Sequence, residues 1–212
     1  MPAIADDALS GARPRTPEAL AERGQLMDAA MKVMRRNGFQ GASVQDILDD
    51  AGLSTRAFYR QFQSKDDLLL AMFHTASGPD VEQVQAAVDG AGTVIDGVLA
   101  WIDELLAIAY DRRRIQRMVV FNVVARQTVG YDVEVASLQD RLLAPLLRVL
   151  RRGSEDGSFP GTDPLPDAYS MYELVWSVAS PHVRRRRPLD REQARAHILR
   201  FCLPALGVHE YP

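Results

Sequence analysis

The chain has one cysteine, Cys202, in 212 residues. A single thiol excludes an internal disulfide and fits a reducing compartment. Long hydrophobic runs are also missing: no stretch approaches the roughly 20 apolar residues that a membrane-crossing helix needs. The opening MPAIADDALSGARPRTPEA carries acids where a secretory leader has its apolar core. These absences predict a cytoplasmic protein with no membrane partner. An excess of positive charge is absent too, with 25 Lys and Arg against 28 Asp and Glu and a formal net charge of −3. That balance lends no support to nucleic-acid binding, yet it leaves room for it, because an acidic body can stand behind a basic face. His74, His182, His197 and His209 form no pair at metal-ligand spacing, and there is no glycine-rich phosphate loop or nucleophile elbow. Neither a metal, a cofactor nor an enzymatic activity is therefore expected.

What is present is a globular composition, 47% apolar and 25% charged. Period-two alternation is scarce, whereas apolar residues recur three and four apart almost throughout, so the fold class expected is all-α. Residues 1–15 read as a disordered arm. The first helix is expected from TPEAL, with Thr16 as N-cap, Pro17 in the first turn and Glu18 beside the positive end of the dipole. It should stop near Asn37-Gly38. Two further starts are marked by a serine with an acid three residues on, SVQD (Ser43, Asp46) and SKDD (Ser64, Asp67), both resembling capping boxes. The run SGPD, 77–80, reads as a break into longer helices. TVIDGVLAWIDELLAIAY and IQRMVVFNVVARQTV are apolar on more than one face, as helices inside a bundle are. A helix over 132–152, a Gly/Pro-rich loop, and helices over 166–184 and 190–206 complete the chain.

Residues 43–65 carry the functional signal. On a helical wheel Val44, Ile47, Leu48 and Ala51 share one face, and Asp46, Asp49 and Asp50 the other. In STRAFYRQF, Phe58 and Phe62 lie one turn apart, with Arg56, Tyr59 and Arg60 in a stripe roughly opposite. Any amphipathic helix has a charged outer face, and the wheel alone leaves a solvated helix the simpler account. A capped helix, a turn at Gly52 and an aromatic-anchored basic helix in that order form the helix-turn-helix arrangement. Thr55 and Arg56 stand at the helix N-terminus, where side chains reach base edges, and an arginine there can bond guanine through two donors. Tyr59 suits a phosphate contact. Ser43 and Lys65, each at a helix start, could place an amide and a charge on flanking phosphates.

The stretch SVQDILDDAGLSTRAFYRQFQSKDDLLLAM resembles the DNA-binding domain of the tetracycline-repressor (TetR) family of bacterial transcriptional regulators. The matching residues are Ala51-Gly52, Ser54, Phe58-Tyr59, Phe62, Lys65, Asp66 and Leu68, within a likeness covering about residues 20–75. It implies an N-terminal three-helix DNA-binding domain over 16–76 and a helical effector-binding and dimerisation domain over 77–212. With the reading of the residues it gives a DNA-binding set of Ser43, Ser54, Thr55, Arg56, Tyr59, Arg60, Gln61 and Lys65. The partners implied are a double-stranded palindromic operator, a second copy of the chain paired through the two C-terminal helices, and a small-molecule effector.

Trp101, Met118, Phe121, Asn122, Tyr172 and Trp176 are candidate ligand-binding residues, on helices that the family uses to line its cavity. Each is equally a candidate core or dimer residue, although a buried amide such as Asn122 needs a partner. A mostly apolar lining implies a hydrophobic effector. The function expected is a ligand-responsive repressor, the alternative being a helical small-molecule binding protein or enzyme that keeps the helix-turn-helix as scaffold. DILDD could suggest a metal site and RRRRP, ending at Pro188, a nucleic-acid patch. Capping and solvation account for the first, and a cationic helix end for the second.

Overall fold

The computed structural model describes residues 16–111, 114, 131–180 and 189–209, with residues 39 and 40 as backbone only. Every regular element among them is a helix. The chain divides into two compact units at the step from Met72 to Phe73.

In the first unit α1 covers Pro17–Gly41, with its helical geometry interrupted at Gly38 (φ 70°, ψ 169°). Those angles are open essentially to glycine alone, so the sequence stop at Asn37-Gly38 appears as a kink and not as an end. Helix α2, Val44–Ala51, begins with the expected capping box: Ser43 Oγ accepts from the Asp46 amide, and the Asp46 carboxylate accepts from the Ser43 amide. Gly52, in the left-handed region at φ 65° and ψ 28°, ends α2, and its N–H donates to the Leu48 carbonyl. Helix α3 is Thr55–Gln61. Helix α1 packs on α2 and α3, and α2 on α3. Leu26, Ala30, Val33, Ile47, Phe58, Phe62 and Leu68 are closed off from solvent between them.

Helix α4, Lys65–Asp89, starts where SKDD indicates: Ser64 Oγ accepts from the Asp67 amide. The return bond is displaced by one residue, for the Asp67 carboxylate accepts from Gln63 N–H at 2.9 Å. The SGPD run does not end this helix. Pro79 lies inside it, and Ser77 Oγ donates to the carbonyls of Phe73 and His74 one turn back. Proline removes one donor from the ladder, and a serine folded back on the preceding turn keeps nearby carbonyls bonded.

In the second unit α5 (Val94–Tyr110) is the central helix, packed against α6 (Tyr131–Glu155), α7 (Pro164–Ala179) and α8 (Arg191–Ala205). Ten of its residues are buried, Trp101, Ile102, Leu105 and Leu106 completely, which accounts for apolar residues on more than one face. Asp103 ties α8 to α5, its carboxylate accepting from Arg195 Nε at 2.7 Å and its carbonyl from Arg191 at 2.9 Å. The loop after α6 is locked at one point. Phe159 is fully buried, its N–H donates to the Gly153 carbonyl, and its ring lies 2.1 Å from where a Cβ on Gly153 would stand. Gly153→Ala should therefore evict an aromatic ring from the core and destabilise the protein by about 1–3 kcal/mol, read as a lower urea midpoint with unchanged slope.

Candidate nucleic-acid interface

A seven-residue helix cannot hold itself together in water. Helix α3 is held instead by its buried side. Phe58 and Phe62 are at 0% and 1% exposure with ring centroids 5.8 Å apart, Ala57 is buried beside them, and Phe62 N–H donates to the Phe58 carbonyl. Ser54 caps the start, its Oγ accepting from Ala57 N–H at 3.2 Å. With that side fixed, the 100° step of the helix turns Thr55, Arg56 and Tyr59 outward, and Tyr59 is 60% exposed. Tyr59 stands edge-on to Phe58 with centroids 5.3 Å apart, so the exposed phenol is braced by the core.

The other expected residues are arranged differently. Gln61 is half-buried and turned to α1: its amide donates to the Ala19 carbonyl, while its own carbonyl accepts from Arg23. Arg23 also lies over the Phe62 ring, 4.3 Å from its centroid. Arg60 is bonded to both carboxylate oxygens of Glu22 on α1, at 2.7 and 2.5 Å. The guanidinium holds the Glu22 carboxyl below its usual range. Lys65 Nζ donates to the Ala42 carbonyl at 2.9 Å, clamping the start of α4 to the turn between α1 and α2. Ser43 is the exposed N-cap of α2. Glu22 and Arg23 escaped the sequence reading, since a pairing across 38 residues leaves no mark on a helical wheel.

The three acids of DILDD are engaged separately. Asp46 belongs to the cap, Asp49 accepts from Gln45, and Asp50 faces Lys32 and Arg36 of α1 at 3.6 and 3.3 Å. The carboxylates thus stabilise the unit on faces other than the outward side of α3.

In the second unit Trp101 is wholly buried, its indole N–H donating to the Leu142 carbonyl at 2.8 Å. Tyr172 and Trp176 lie edge to face with centroids 6.0 Å apart. Burial pushes the Tyr172 phenol up to about 12, opposed by the nearby indole of Trp176. That indole N–H is buried and makes no hydrogen bond of regular geometry among the described residues. Met118, Phe121 and Asn122 lie outside the described residues. Helices α7 and α8 expose Leu165, Tyr169 and Phe201, and a cavity of about 160 Å³ opens beside them between Met171, Leu174, Phe201 and Leu206.

Residues 26–72, which hold this helix-turn-helix, match the family model described as bacterial regulatory proteins, tetR family. This head thus resembles the DNA-binding domain of that family. The chain is similar to the fatty acid metabolism regulator protein of Bacillus subtilis, 29% identical over 69 residues, 32% of this chain and 36% of that one. It is similar also to the nicotine-responsive transcriptional repressor HdnoR of Paenarthrobacter nicotinovorans, 36% identical over 72 residues, 34% of this chain and 37% of the relative. The chain thus spans little more than a third of the length of these two relatives. The crystal structure of the regulator FadR from Bacillus subtilis in complex with stearoyl-CoA extends the likeness of fold beyond the TetR-type head. It covers 86% of this chain and 98% of its own, with a TM-score of 0.66 at 19% identity.

Proposed function

We propose that the chain is a ligand-responsive repressor of transcription, which holds a palindromic operator as a homodimer and releases it when a small hydrophobic effector binds. The observation that carries this reading is α3, fixed by two buried phenylalanines with Thr55, Arg56 and Tyr59 turned to solvent. Thr55 and Arg56 read base edges. Ser43, Ser54, Tyr59, Arg60 and Lys65 act on the phosphate backbone, with Gln61 seating α3 on α1. Residues 16–76 serve DNA, and residues 77–212 serve effector and partner. The relatives' names, a nicotine-responsive repressor and a regulator crystallised with an acyl-CoA, support an effector with an apolar body.

The homodimer uses α7 and α8, whose exposed Leu165, Tyr169 and Phe201 gain cover from a second copy. The effector lies among Trp101, Met118, Phe121, Asn122, Tyr172 and Trp176. A buried donor without an acceptor costs about 1–3 kcal/mol, and an effector carrying an acceptor would relieve that cost at the Trp176 indole. Because coupling is reciprocal, operator DNA weakens effector binding by the same factor as effector weakens DNA.

Footprinting of the DNA beside the chain's own gene checks this. A protected palindrome is expected, its half-sites about 34–36 Å apart or a near multiple. Fluorescence anisotropy should then show its release by apolar ligands. Absence of any protected site at concentrations where the protein is dimeric would refute the reading.

A further inference from the structure

We infer that Glu22 is a built-in competitor of DNA, an anion that holds the Arg60 guanidinium beside the reading face and lowers the protein's hold on phosphates of any sequence. The inference rests on the reading of α2 and α3 as a DNA-binding unit. On α3 the outward residues Thr55, Tyr59 and Arg56 fall within about 100° of one another, and Arg60 stands about 40° beyond Arg56, toward buried Ala57. Arg60 thus occupies the border where the exposed face meets α1, and its side chain is 47% exposed. Both Glu22 oxygens converge on one guanidinium nitrogen, Nη2. A fork-to-fork pair would engage two nitrogens, so this pair leaves other guanidinium donors for an incoming phosphate.

The position of Glu22 is not free to adjust. It is carried by the stretch of α1 seated on α3, with Ala19 accepting from Gln61 three residues before it, and Arg23 both bonded to the Gln61 carbonyl and stacked on Phe62 directly after it. When Arg60 turns to a phosphate, the carboxylate stays within reach of that same phosphate. Two anions then share one cation, at a cost that depends on the backbone and not on the base sequence. Thr55 and Arg56, which make no bond to Glu22, keep their reading role.

The full-length protein is compared with Glu22→Gln, Arg60→Gln and the double variant by fluorescence anisotropy, on the footprinted operator and on an unrelated duplex of equal length, over a range of salt. Glu22→Gln should tighten both duplexes alike by about two- to fivefold, the range of an exposed ion pair. It should also steepen the log–log salt slope by about 0.9 per subunit. In the Arg60→Gln background the same substitution should change neither quantity. Should the amide loosen α1 and lower the melting midpoint, Glu22→Ala is measured in its place with the same expectations. An unchanged or weaker affinity in the Glu22 variant, or an equal gain without Arg60, overturns the inference while the wild type still binds. A wild type that binds neither duplex removes the DNA-binding reading itself, and the inference with it.

Discussion

Phe58→Ala is expected to destabilise the first unit by about 3–5 kcal/mol and to abolish operator binding at ordinary temperature. The ring is fully buried, and it is packed against Phe62 and edge-on to Tyr59. Its loss opens a cavity under a seven-residue helix that is too short to stand without tertiary support. A domain of this size holds only about 5–15 kcal/mol in all, so this one truncation removes a large share. Both tryptophans, Trp101 and Trp176, belong to the second unit. Urea unfolding followed by circular dichroism should therefore show an early loss of helix that tryptophan fluorescence does not report. Tyr59→Phe is the control: it leaves the core ring in place and should change stability by less than about 0.5 kcal/mol, as exposed substitutions do. If Phe58→Ala bound operator like the wild type, the aromatic anchor would not be what presents the reading face.

That anchor was legible in the sequence because its determinants are local. The one-turn spacing of Phe58 and Phe62, the serine caps at 43 and 64 and the turn at Gly52 act within a few residues, and each appears in the structure where the pattern placed it. What was not legible is tertiary. SGPD contains two helix breakers, and only the folded helix shows Ser77 bonded back over the previous turn while Pro79 is accommodated. A wheel assigns Arg60 to the outside of α3 and Gln61 to the side of buried Ala57 by angle, but it does not show that α1 arrives from 38 residues away to engage both. For Trp101 the sequence offers an indole on an apolar helix, equally suited to a cavity wall or a core. The Leu142 carbonyl that accepts its N–H lies 41 residues downstream.

Arg56→Ala should separate reading from holding. Arg56 is exposed in the first turn of α3 and belongs to no ion pair among those formed by the described residues. A two-donor contact to guanine discriminates by about 1–3 kcal/mol, and a two-fold dimer makes it twice, so the variant's preference for operator over unrelated DNA should fall by about 2–6 kcal/mol. Its affinity for unrelated DNA should move far less. Lys65→Ala should do the reverse. It removes a cation from each half-site, so both duplexes weaken alike and the slope of log K against log salt flattens by about 0.9 per subunit. Lys65 also clamps the Ala42 carbonyl, so its loss should lower the melting midpoint, whereas Arg56→Ala should leave it in place. Lys65 supplies one phosphate cation per chain and two per dimer, Arg60 counting in full only once Glu22 is neutralised. That sets a wild-type slope of about −1.8, or roughly a 12-fold loss of affinity from 50 to 200 mM salt, and a slope of about −3.6 in Glu22→Gln. A chain of net charge −3 can show such a slope only if its cations are gathered on one face. A slope near zero, or equal loss on both duplexes for Arg56→Ala, would place the reading elsewhere than α3.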